Sequence, residues 1–270
     1  MVDIIAVIIA MLLTGMVGGI IAGLLGVGGG IVVVPVLEVL LGSIGVDPSI
    51  RMHIAVGTSL AIILPTSLSS ARTHHQEKAV LTDVVRYWGP YIVIGTMLGA
   101  LIAGSVEAGT LYMVFGLLAL AVAVKMILPL DEKAIATEVP KGITGPLLPT
   151  GIGLISAMTG IGGGSMSVPV LTSCGKPMHQ AVGTSALCGT FIALPGMLGF
   201  VYTGWGNTLL PYGSLGYVNL IGVALIIPAS VAFAAIGARL AHSISRRRLS
   251  VLFGLFLLVV AVRMIWRVFG

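Results

Sequence analysis

Two short blocks in this chain have the residue types to handle an anion. GLLGVGGGIVVVPVL (23–37) and AMTGIGGGSMSVPVL (157–171) each hold three consecutive glycines, Gly28-Gly29-Gly30 and Gly162-Gly163-Gly164, with a proline five residues on. Glycine runs accept positive φ and let other groups come close to the backbone. A helix starting just after such a run, near Ile31 or Ser165, presents unpaired N–H groups and the positive end of its dipole. An anion can be held there without a lysine. Each block is followed by a second one, HIAVGTS from His53 and HQAVGTS from His179. These place Thr58, Ser59, Thr184 and Ser185 beside a glycine, where small hydroxyls can donate to an oxyanion. The substrate-binding candidates are therefore Gly28, Gly29, Gly30, Thr58, Ser59, Gly162, Gly163, Gly164, Ser165, Thr184 and Ser185. Two plainer roles compete. The glycines could serve close helix crossings, and Ser or Thr could bond the preceding turn of its own helix.

Three ionisable side chains join the candidates, for proton coupling or substrate charge. His53 and His179 stand four residues before Gly57 and Gly183. Glu38 lies in the apolar run PVLEVLLG, where a carboxylate is a functional candidate by default, though it could also reach the outer interface. The glycine blocks are not a Walker A loop, because no Gly-Lys-Ser/Thr follows, and no soluble βαβ unit surrounds them. Cys174 and Cys188 lack metal-type spacing and read as unpaired thiols. No cofactor and no metal is expected. A serine hydrolase would need a nucleophile beside a histidine. Ser165 and His179 are the one plausible pair, and a duplicated architecture gives no reason for a single catalytic centre.

The elements that must position these residues are membrane spans. The chain has 270 residues, a mean hydropathy of +1.13 and only 9% charged residues, against about a quarter in soluble domains. Apolar stretches recur from end to end at lengths suited to a ~30 Å hydrocarbon core. The net charge of +5 is scattered through short loops, which argues for orientation signals rather than nucleic acid as a partner. The N-terminus has Asp3 and no basic region, so it reads as a first span rather than a signal peptide.

The blocks belong to an internal repeat. The glycine blocks align at an offset of 134, the VGTS blocks at 126, and FGLLALAVAVKMI (115–127) aligns with FGLFLLVVAVRMI (253–265) at 138. The expected organisation is a first membrane repeat over 1–128, a polar linker at 129–142 and a second repeat over 143–270. Five segments per half fit, near 3–25, 30–43, 52–71, 88–104 and 110–128, then 144–160, 164–174, 179–202, 215–241 and 249–267. The second of each half is short enough to be a half-helix. Pro65 follows Ser59 by six residues and Pro195 follows Ser185 by ten, so the two halves of a site need not match. Equivalent loops swap their charges. The loop near 72–87 carries Arg72, Lys78 and Arg86, whereas 203–215 carries none. Residues 104–110 hold only Glu107, whereas 242–249 hold Arg246, Arg247 and Arg248. Basic loops face the cytoplasm, so equivalent loops fall on opposite sides, as in inverted-topology repeats. Arg263 and Arg267 conflict with the outside C-terminus this topology implies. Trp88, Trp205, Trp266 and Tyr202 read as interfacial anchors. The expected fold is all-α and integral to the membrane, with two inverted repeats, broken or half-length helices and about 8–10 membrane segments.

GLLGVGGG, TGIGGGSMSVP and both AVGTS blocks, covering nearly the whole chain, resemble the TauE/SafE family of sulfite exporters, also called 4-toluene sulfonate uptake permeases. The resemblance implies a multi-pass carrier in a bacterial inner membrane for sulfite, a sulfonate or a related organosulfur anion. Coupling would come from protons or from the substrate gradient, since no ATP-binding motif is present. An anion channel built from the same half-helices is the competing expectation.

Overall fold

The computed structural model describes residues 4–25, 30–128, 142, 145–240 and 246–269. It is helical, as the composition predicts. The helices are α1 (Ile4–Leu25), α2 (Gly30–Ser43), α3 (Pro48–Gln76), α4 (Thr82–Ser105), α5 (Ala108–Ile127), α6 (Leu147–Thr159), α7 (Gly164–Ser173), α8 (Met178–Thr203), α9 (Leu220–Leu240) and α10 (Arg246–Phe269). A two-residue hairpin, β1 (Ser214–Leu215) and β2 (Val218–Asn219), sits between α8 and α9. Within α3, α4, α5, α8 and α10, stretches of 20–29 residues are long and apolar enough to cross a bilayer. The short second segments are present as α2, of 14 residues, and α7, of 10. Neither reaches the ~20 residues that a full crossing needs. Except for Gly142, the linker at 129–142 lies outside the described residues.

The most extensive helix contacts recur under exchange of the two sets of five helices, whereas the smaller α3–α5, α5–α6 and α6–α8 contacts have no counterpart of similar extent among the described residues. α1 packs on α9 and α6 on α4, α2 packs on α3 and α7 on α8, and α5 pairs with α10 as α3 does with α8. Small residues allow the first two contacts. In α1, Gly15 and Gly19 lie against the carbonyls of Ile226 and Ser230. In α4, Gly95 and Gly99 lie against those of Thr150 and Leu154. A Cβ at any of the four would strike the partner backbone, which is the close approach that a small-xxx-small spacing permits.

α3 and α8 form the centre. α3 begins at Asp47, whose carboxylate accepts the Ser49 hydroxyl and the Ser49 N–H, the latter at 2.9 Å. Pro48 follows at the first helical position, where its missing N–H costs nothing. The Ser49 hydroxyl and then its N–H hold the Asp47 carboxyl below its ordinary pKa. Trp88 corrects one expectation. It is fully buried in the core rather than anchored at an interface, whereas Trp205, Trp266 and Tyr202 are exposed. A tryptophan in the second turn of a span can turn inward as easily as outward, and sequence position alone does not distinguish the two.

Candidate functional site

The second glycine block forms a sharp turn between two short helices. α6 closes at Gly160, which is left-handed at φ +67, and α7 opens at Gly163, left-handed at φ +74. Only glycine adopts both without strain. The Ser167 N–H bonds the Gly163 carbonyl at 2.7 Å. The N–H groups of Gly164 and Ser165 have no acceptor among the described residues, as expected for the first turn of a helix. Residues 156–165 are all buried.

The first repeat meets this turn directly. Gly28 and Gly29 lie outside the described residues, but Gly30 opens α2 and is buried. Its Cα faces the Gly160 carbonyl, the Ile63 side chain and the Ser59 hydroxyl. Ser59 in turn donates to the Gly160 carbonyl at 2.8 Å, across 101 residues of sequence. One residue group from each half is thereby joined at one buried point. Just along α3 and α8, Ser67 and Thr190 share a hydrogen bond at 3.1 Å, beside the point where Gly189 approaches the Gly162 carbonyl. Sequence reasoning missed Ser67 and Thr190. Ser67 lies in a hydroxyl-rich run, PTSLSSAR, and Thr190 in an apolar one, and neither context singles the residue out.

The two threonines of the VGTS blocks hold loops. The Asn219 N–H donates to Thr58 Oγ1 at 2.9 Å, and the Leu81 N–H donates to Thr184 Oγ1 at 3.0 Å. Thr58 thus receives the α8–α9 connection and Thr184 the α3–α4 connection. The preceding glycines admit these loops: a Cβ on Gly57 would lie 2.5 Å from the Tyr217 carbonyl, and one on Gly183 2.6 Å from that of Ala79. Each hydroxyl keeps its own proton free to donate.

Four buried serine hydroxyls, those of Ser156, Ser165, Ser167 and Ser185, have no hydrogen-bond partner among the described residues. Such groups are rare, because leaving one unmade is costly. Two of them, Ser165 and Ser167, are on the first turn of α7. Ser167 was not among the sequence candidates. Its signal was present, since the equivalent positions at the 134 offset are Ile31 and Val33.

The ionisable candidates lie elsewhere. His53 is buried, with Nε2 3.1 Å from the Val106 carbonyl and its ring 4.9 Å from that of Tyr217. His179, its sequence counterpart, is exposed at the start of α8. Glu38 is fully buried. Its carboxylate takes an ion pair from Arg263 at 2.8 Å and a hydrogen bond from the Tyr112 hydroxyl at 3.0 Å, with Arg267 at 3.8 Å. Arg263 is therefore committed to a partner within the protein, which explains why it reads poorly as a topology signal. Cys174 and Cys188 are buried free thiols. A separate groove of about 650 Å³ runs between α4 and α8, lined by apolar side chains and Arg86. None of its lining residues belongs to the glycine turns.

A family model described as sulfite exporter TauE/SafE matches residues 11–264. The chain belongs to the TauE/SafE family. The match spans both glycine blocks, both VGTS blocks and the Glu38–Arg263 pair. Among its TauE/SafE-like relatives, a protein of Haemophilus influenzae is 36% identical over 95% of this chain and 97% of its own length, and is named a probable membrane transporter protein. Proteins of Methanocaldococcus jannaschii and Bacillus subtilis with the same description are 26% and 23% identical. They cover 94% and 96% of the chain, and 94% and 97% of their own lengths. No solved structure matches. Membership places the chain among multi-pass membrane transport proteins, in agreement with its apolar helices.

Proposed function

We propose that this protein is a secondary carrier for a small sulfur-containing anion such as sulfite or a sulfonate. It would work by alternating access between two inverted repeats in a bacterial inner membrane. One observation carries the reading: the Ser59 hydroxyl on the Gly160 carbonyl, with Gly30 against the same carbonyl. It places the start of one half-helix against the turn that leads into the other, at the crossing of the central helices. Repeat-built carriers bind substrate at such junctions. The swapped loop charges support the inversion, and the burial of residues 156–165 suits an occluded carrier state better than an open channel. Thr58 and Thr184 give each half a hold on one loop of the other, so one tie can break while the other stays closed.

The test is uptake of labelled sulfite, thiosulfate, sulfonates and sulfate into proteoliposomes, with and without a proton gradient. A carrier gives saturable uptake and counterflow of at least one of them. Uptake of none would end the organosulfur assignment, and currents far above carrier rates would replace the carrier with a channel. Gly163→Leu should abolish uptake while leaving membrane insertion intact, because it imposes φ +74 on a branched residue and collides with Ile192. Unchanged uptake by that variant would reduce the turn to a packing device.

A further inference from the structure

The two half-helices are not equivalent, and the difference bears on what the site accepts. α7 begins GSMSVP and α2 begins GIVVVP. At the shared offset, Ser165 and Ser167 stand where α2 has Ile31 and Val33. Ser167 is fully buried and Ser165 is 8% exposed, and neither hydroxyl has a partner among the described residues. The Ser167 Oγ lies 3.7 Å from where a Cβ on Gly163 would be, so it sits at the opening turn beside the free N–H groups of Gly164 and Ser165. The α2 side of the junction is apolar, with Ile31, Val33 and Ile63 each at most 3% exposed.

Unmatched charge is lacking on both sides of the junction among the described residues of these helices. α6, α7 and α8 contain no Lys, Arg, Asp or Glu, and neither does α3 between Met52 and Ala71. Glu38, the charged residue of α2, is already matched by Arg263. Among the described residues of these helices the site thus has no lysine or arginine of its own. A helix terminus supplies roughly half a positive charge. That offsets much of one negative charge, but a second would be buried without a counterion at a cost of several kcal/mol in general.

Resting on the carrier reading above, we propose that the site selects by charge. It takes a monovalent oxyanion, with the charged headgroup on Ser165, Ser167 and the α7 N–H groups, and the uncharged end of the substrate against α2. It discriminates against divalent anions of the same chemistry. Ser167 is then a specificity-determining residue and Val33 is not.

The probes are labelled methanesulfonate, a permanent monoanion, and ethane-1,2-disulfonate and sulfate, permanent dianions, in proteoliposomes of the full-length protein. The native protein should take up methanesulfonate with a kcat/KM at least about tenfold above that of either dianion. S167V should raise the methanesulfonate KM about tenfold, the loss expected for one hydrogen bond to a charged group, while V33S should leave it within about twofold. S167A, with less bulk, guards against an S167V that does not fold. Dianion uptake equal to methanesulfonate uptake would overturn charge selection while leaving the carrier reading intact. Equal KM changes in S167V and V33S would overturn the one-sided headgroup site. No uptake of any of the three, with counterflow of sulfite also absent, would remove the carrier reading and this inference together.

Discussion

Thr58 and Thr184 show how one side chain can serve two ends. As acceptors they satisfy the buried N–H of Asn219 and the half-buried N–H of Leu81. As donors they retain a proton beside the junction. Replacing Thr58 by Val keeps the shape and removes the acceptor, leaving the Asn219 N–H buried and unpaired. Such a loss generally costs about 1–3 kcal/mol, so T58V should melt several degrees below the native protein in detergent, and Thr58→Ser should restore most of the difference. A T58V variant melting with the native protein would show that the tie contributes no stability. The candidate threonines and serines were readable from sequence because glycine and hydroxyl recur together in both halves. Their division of labour was not, because the partners of Thr58 and Thr184 lie 161 and 103 residues away.

At the scale of elements, α2 is held by its polar cluster as well as by packing. A buried carboxylate is tolerable only with its charge matched, and Glu38 is matched by Arg263 and supported by Tyr112 and Arg267. The cluster ties a half-helix of the first repeat to α5 and α10, and so fixes the axis along which Gly30 meets Gly160. Glu38→Gln leaves Arg263 without its counterion. Removing one partner of a fully buried pair costs roughly 3–5 kcal/mol. Since Arg263 and Arg267 are 39% and 48% exposed, solvent screening brings the expected loss nearer 1–3 kcal/mol. Adding R263Q to E38Q should recover part of the lost melting temperature. Strictly additive losses in the double variant would show that the pair is not coupled. The short α2 and α7 were legible from glycine, proline and apolar run length. The cluster was not: Glu38 and Arg263 are 225 residues apart, and nothing local marks either as the other's partner.

At the scale of the whole molecule, the largest contacts recur under exchange of the two halves, and each half depends on the other for them: α1 on α9, α4 on α6, α5 on α10. The repeat was legible because three blocks recur in order, and the swapped loop charges then suggested opposite orientations. Reporter fusions at residues 78 and 209 should light up on opposite sides of the membrane; signals from the same side would refute the inversion. The interlacing also bears on biogenesis. A ribosome delivers α2 with Glu38 long before it delivers α10 with Arg263. Until α10 emerges, the nascent chain holds an unmatched carboxylate in or near the bilayer and α5 lacks its packing partner, while α1 waits for α9. Assembly therefore cannot finish repeat by repeat. It closes only once α10 has been made, which makes that helix a checkpoint that a product truncated before it does not pass.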